Sequence, residues 1–150
     1  MSALNIPGRG EKPGCLYRKV VSFSAKSSDG YDVAVASGNN VLININEAGV
    51  FIEGFEVQCT TAFTATAALL MGDSADCDGW GTDTAMNIAA TATVWKALAA
   101  SMPYAGGKLY TSTDAIAFHV TGTPAAGCAK LRVTYQIGLE SDTDFNCATG

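Results

Sequence analysis

Apolar and polar residues alternate along much of this chain with the two-residue period of half-buried strands. In "AKLRVTYQIG", Leu131, Val133, Tyr135 and Ile137 fall on one face, while Arg132, Thr134 and Gln136 fall on the other. In "DAIAFHVTG", Ile116, Phe118 and Val120 alternate with Ala117, His119 and Thr121. In "VFIEGFEVQC", Phe55, Val57 and Cys59 oppose Glu56 and Gln58. The same reading predicts strands at "YRKVVSF", "YDVAVA", "VLINI", "FTATAALLM" and "KLYTST". Turn signals stand between them: "SSDG", "SGNN", "NEAG", "YAGG" and "TGTPAAG". Roughly eight or nine short strands at this spacing predict an all-β fold, an antiparallel β-sandwich of jelly-roll type. One stretch, Thr82 to Met102, mixes helix-favouring alanines with strand-favouring threonines. Its expected content is a strand around Ala85 to Ile88, a connection, and a strand or short helix near Val94 to Ala99.

The pattern also divides the chain. Residues 1–14 hold Pro7, Gly8, Gly10, Pro13 and Gly14, which predicts an extended N-terminal arm with no core of its own. Residues 15–140 form the sandwich, and residues 141–150 a flexible acidic C-terminal tail. On this division, deleting residues 1–14 leaves a folded β-domain. No apolar run approaches the ~18 residues of a membrane span, and the N-terminus lacks a stretch suited to a secretion signal.

Composition adds a reason to expect assembly. Charged residues make up 15% of the 150-residue chain and hydrophobic ones 48%, against roughly 25% charged in an average domain. Strands rich in Ala, Thr and Gly give a thin core and allow sheet faces to approach other subunits closely, so an oligomer is expected. The net charge of −5 is unevenly spread. Up to Lys26 the chain carries Arg9, Lys12, Arg18, Lys19 and Lys26 against Glu11 alone; from Ser27 onward four basic residues face thirteen acidic ones. An acidic body repels phosphates, which argues against nucleic-acid binding. The basic N-terminal segment, through Arg9, Lys12, Arg18 and Lys19, is the candidate docking element for something acidic.

Candidate chemistry is sparse. The five cysteines, Cys15, Cys59, Cys77, Cys128 and Cys147, include no CxxC pair, and scattered buried thiols in a reducing cytoplasm are expected. "GDSADCDGWGTD" places Asp73, Asp76, Asp78 and Asp83 in one Gly-rich segment. With Gly79 at the sixth position of an EF-hand loop, the twelfth falls on Ala85, where a bidentate glutamate is required. An EF-hand is therefore rejected. A looser cation loop is an alternative to a wet interstrand turn, which is the default, with hydrated carboxylates of near-ordinary pKa. His119 is the single histidine and is expected at a surface or interface. No GxSxG elbow and no phosphate-binding loop occurs; no catalytic residue, metal or cofactor is assigned. Trp80 and Tyr104, beside polar loops, are candidate interface or ligand aromatics.

The order "FEVQCTTAFTATAALLMGDSADCDGWG", then "GGKLYTSTDAIAFHVTG", then "GCAKLRVTYQIG" resembles small virion proteins of tailed bacteriophages, over roughly Val50 to Ile137. The resemblance implies a β-sandwich attached to the outer surface of a capsid, a head decoration (cement) protein made in the host cytoplasm. Its partner would be the major capsid protein, and it would act as a dimer or trimer across junctions between shell subunits, with extended termini making lattice contacts. The resemblance carries over no catalytic residue. Two alternatives stand beside it. One is a head-fibre, tail or baseplate component. The other is a receptor- or glycan-binding module using Trp80, Tyr104 and the aspartate loop.

Overall fold

A computed structural model describes residues 3–26, 30–31, 33–64, 66–82, 86, 88, 90–98 and 100–138. The described chain is built from strands: β1 (Leu4–Ile6), β2 (Leu16–Ser24), β3 (Val33–Ala34), β4 (Gly38–Ile45), β5 (Val50–Thr61), β6 (Thr66–Gly72), β7 (Gly81–Thr82), β8 (Lys96–Ala97), β9 (Lys108–Tyr110), β10 (Asp114–Gly122) and β11 (Cys128–Gln136). One sheet has the order β1-β4-β10-β6-β7, the other β3-β2-β11-β5-β8 with β9 also on β5. The fold is all-β and sandwich-like, as the alternation predicted. Pairing is antiparallel except at two edges, where β1 joins β4 and β3 joins β2 in parallel.

The core lies between the sheets and is made by the predicted apolar faces. Leu131, Val133 and Tyr135 of β11 are fully buried, and so are Ile116 and Phe118 of β10. Phe55, Val57 and Cys59 supply the inward face of β5. Phe23 and Phe118 bridge the two layers with ring centroids 4.6 Å apart, a tilted contact of the kind aromatic quadrupoles favour. Of the stretch expected as a strand or short helix near Val94 to Ala99, the described residues, 94–98, contribute the two-residue β8. The strand expected at Ala85 to Ile88 falls largely outside the described residues, although Met86 and Ile88 are buried.

The N-terminal segment is more tightly joined to the body than an arm without a core. Leu4–Ile6 adds a strand to β4, and Ile6 is completely buried. Beyond it, the Glu11 carboxylate, on a side chain 5% exposed, faces Lys19 Nζ at 2.8 Å and accepts from the Tyr135 hydroxyl at 2.6 Å and from the Gly8 amide. Lys12 N–H donates to Tyr17 Oη at 2.6 Å. The chain thus passes from the edge of one sheet to the edge of the other and closes that side of the sandwich. An arm with no core of its own is not what the structure shows: the segment supplies a core residue and the acceptor for a buried phenol, so its removal is expected to cost stability. Residues 141–150, expected as a tail, lie outside the described residues.

Candidate functional site

The aspartate segment begins where β6 ends. Gly72 and Gly79 are required there by close approach: a Cβ on Gly72 would lie 2.0 Å from the Asp76 carbonyl, and one on Gly79 would lie 2.2 Å from the Tyr104 ring. The tight turn aims Asp73 inward, with a side chain that retains no exposure. Its Oδ1 accepts from the Ala75 and Asp76 amides at 3.0 and 3.1 Å and from Tyr104 Oη at 3.3 Å. Oδ2 accepts from Lys108 Nζ at 2.6 Å and Tyr110 Oη at 2.7 Å. Tyr110 in turn accepts from Trp80 Nε1 at 2.9 Å. Lys108 Nζ also sits 4.2 Å from the Tyr104 ring centroid, within cation–π range.

Burial alone would push the Asp73 carboxyl up; the hydrogen bonds from Lys108, Tyr110, Ala75 and Asp76 together hold it below the usual carboxylate range. Burial likewise tends to lower Lys108, but its bonds to Asp73 and Tyr104 prevail and raise it. Burial pushes the Tyr110 phenol up. Asp73 is therefore not one of four hydrated carboxylates, as the loop composition suggested. It is an ionised hub whose lone pairs are already engaged, with a lysine ammonium where a cation would sit. Asp76 accepts from the Asp78 amide, and a hydrogen bond with the Asp76 side chain pushes the exposed Asp78 carboxyl up. Asp83 lies outside the described residues. Among the described residues no cluster of three or more His, Cys, Asp or Glu could hold a metal ion. Millimolar calcium and excess chelator are accordingly expected to give melting temperatures within about 1 °C of each other, where occupancy at 100 Kd would add about 2.7 kcal/mol.

Trp80, expected as an aromatic beside a wet loop, is 2% exposed. Its ring is held edge-on between Phe55 at 4.9 Å and Tyr104 at 5.2 Å, so no open face remains for a sugar. Tyr104 is half-buried and spends its hydroxyl on Asp73 and Lys108. These rings border a cavity of about 360 Å³ that also meets Arg18, Gly54, Leu98 and Met102. A second depression of about 260 Å³ meets Val41, Cys77, Asp114 and His119, and there His119 Nδ1 lies 2.6 Å from Asn39 Oδ1.

The cysteines divide by exposure. Cys59 and Cys128 are buried, in line with the expected scattered buried thiols, whereas Cys15 and Cys77 are exposed; Cys147 lies outside the described residues. Burial pushes the Cys59 thiol up. Brief maleimide treatment of the native protein, read by peptide mass, is expected to modify Cys15 and Cys77 and to spare Cys59 and Cys128.

The basic set also divides. Lys19 is consumed by Glu11. Arg9, Lys12 and Arg18 are exposed, and none of the three forms an ion pair among the described residues. They lie along the loop after β1 and the start of β2, and Arg18 borders the larger cavity. Sequence reasoning placed them in one segment but missed that Glu11 neutralises only Lys19.

No family model matches the chain, and no curated protein matches it by sequence. Two solved structures contain chains of similar fold. One is the "acidic stable capsid structure of Helicobacter pylori bacteriophage KHP30", at 13% identity and a TM-score of 0.56, covering 84% of this chain and 90% of that one. The other is the "cyanophage Pam1 capsid asymmetric unit", at 14% identity and a TM-score of 0.51, covering 91% of this chain and 94% of that one. The fold of this chain is therefore one that also occurs, over nearly its whole length, in chains of two phage capsid structures.

Proposed function

We propose that the chain is a non-enzymatic structural protein of a tailed-phage virion, a decoration (cement) protein that binds the outer surface of the shell as an oligomer and stabilises it. The observation that carries this reading is the shared fold, since 84% of the chain superposes on a capsid-structure chain that is itself covered to 90%. Two local features support it. The polar cluster beside β9 is closed on itself, with Asp73, Lys108, Tyr104 and Tyr110 joined by hydrogen bonds, which braces a scaffold and leaves none of the four a free acid or base. Arg9, Lys12 and Arg18 present positive charge on an otherwise acidic protein.

Docking is onto acidic surface of the major capsid protein, and oligomerisation multiplies a weak single contact through effective concentration. Re-addition of purified protein to particles stripped of it tests this reading. Wild-type protein cosediments with the particles, less so at high salt because exposed charge pairs are screened. The triple charge reversal R9E/K12E/R18E lowers the bound fraction by about 10-fold or more. Equal binding of the reversed variant contradicts the docking role of these residues. The glycan-binding alternative loses its main support because Trp80 presents no stacking face.

A further inference from the structure

β2 is an internal strand for only a small part of its length. On one side it pairs with β11 throughout, from Leu16↔Gln136 to Ser24↔Cys128, with no break in register. On the other side, among the described residues, only β3 pairs with it, at Phe23 and Ser24. The direction of the backbone groups follows from two hydrogen bonds at the far end: Ala25 N–H donates to Gly127 O, towards β11, and Val35 N–H donates to Ser24 O, away from it. Alternation along an antiparallel strand then turns the N–H and C=O of Leu16, Arg18 and Val20 away from β11, onto the open side. The segment that precedes β2 does not cover them. It reaches Lys19 and Tyr17, whose side chains point the other way, through Glu11 and Lys12.

Edges of this kind are ordinarily blunted by proline, bulges or repeated charge. From Leu16 to Ser22 the strand has no proline and one outward charge, Arg18, set between Leu16 at 56% exposure and Val20 at 45%. We propose that this edge receives an extended strand of a capsid shell subunit, added to the six-stranded sheet beside β2, with an acidic side chain opposite Arg18 and apolar side chains opposite Leu16 and Val20. This rests on the capsid-docking reading above and gives it a geometry: backbone hydrogen bonds supply affinity and the alternating side chains supply selectivity. The exposed Arg9 and Lys12 beside this edge favour the same acidic partner.

A second copy of this chain fits poorly. The antiparallel register that sets Leu16 against Val20 in both directions also sets Arg18 against Arg18, and like charges directly opposite are destabilising.

Site-resolved amide exchange on free and particle-bound protein tests the proposal. The Arg18 and Val20 amides exchange rapidly in the free protein and slow by at least about 100-fold on particles, while Lys19 and Val21, bonded to β11, stay protected in both. Val20→Pro removes an outward N–H and no ladder bond; it keeps its melting temperature but lowers particle occupancy at least about 10-fold. Val20→Lys, which keeps the N–H and sets a second charge on the edge, lowers occupancy as well. Val94→Ser, at a site 68% exposed and away from this edge, binds as wild type. If bound protein leaves Arg18 and Val20 unprotected, the strand-addition proposal is overturned while the docking reading stands. Concentration-dependent protection in the free protein overturns it in favour of a second copy. Protein that does not bind particles overturns both.

Discussion

Asp73→Asn is expected to destabilise the domain by about 3 kcal/mol, because removing one member of a buried charge pair leaves the other uncompensated. The loss falls on several groups together. Lys108 Nζ, 2.6 Å from the carboxylate, is left without its counter-charge, and the Tyr110 hydroxyl and the Ala75 and Asp76 amides all depend on the same two oxygens. Lys108 keeps 23% side-chain exposure, so water offsets part of the cost and the effect stays near the lower end of the range for buried pairs. For a chain of this size the drop corresponds to roughly 6–12 °C in melting temperature. Adding Lys108→Met to the substitution removes the stranded charge, so the double variant loses less than the sum of the two single ones. A loss below about 1 kcal/mol for Asp73→Asn would mean that the hub does not brace the loop.

The same carboxylates set the response to acid. Asp73 and Glu11 are both held below their ordinary range in the folded protein. In each case burial opposes the shift and hydrogen bonds overcome it, from Lys108 and Tyr110 for Asp73 and from Lys19 and Tyr135 for Glu11. A group depressed on folding stabilises the protein fully above its unfolded pKa, about 4 for either residue, and ceases to do so as pH falls through the folded value. Stability therefore declines below about pH 4, and Asp73→Asn flattens part of that decline. A variant as acid-sensitive as wild type would place the titrating groups elsewhere.

Deletion of residues 1–14 is the second large effect. It removes Ile6, which is completely buried, together with the strand that covers the edge of β4. It also removes Glu11, the acceptor of the buried Tyr135 hydroxyl. Loss of a buried isoleucine costs about 2–5 kcal/mol, and an unsatisfied buried phenol adds about 1–3 kcal/mol. The truncated chain is expected to melt at least about 8 °C lower, or to fail to accumulate in soluble form. Glu11→Gln keeps β1 and isolates the smaller contribution. Equal melting temperatures for full-length and truncated protein would mean that the segment is an appendage. Binding assays on such a truncation report a loss of fold as much as a loss of docking, so point substitutions at Arg9, Lys12 and Arg18 are the cleaner probes.

The strand pattern was legible because one face of each long strand is buried and the other is wet. In β11 a one-residue slip would exchange Leu131, Val133 and Tyr135 for Arg132, Thr134 and Gln136, so the sequence admits a single register. β1 was not legible: three residues among prolines and glycines establish no period, and its partner β4 is distant in sequence. The fate of the aspartates was hidden for another reason. Nothing within "GDSADCDGWG" separates Asp73 from Asp76 or Asp78; the distinction comes from Lys108 and Tyr110, brought from β9. A signal did exist, since Lys108 is one of only four basic residues after Ser27 and shares a strand face with Tyr110 two positions on. Trp80 was read from its polar neighbours as a loop-tip aromatic, whereas its ring packs in the core between Phe55 and Tyr104, with Gly79 leaving room for the Tyr104 ring. The open edge of β2 was invisible because edge status is a property of the sheet order.

The proposed function distributes this chain throughout the lattice of a phage shell. The most direct measurement is the number of copies per purified virus particle relative to the shell protein, by quantitative mass spectrometry. Lattice-wide decoration predicts on the order of hundreds of copies in a fixed ratio to the shell subunit, as closed symmetry requires. About a dozen to a few dozen copies would contradict it and place the protein at a vertex, fibre or tail. Absence from particles would overturn the virion assignment itself.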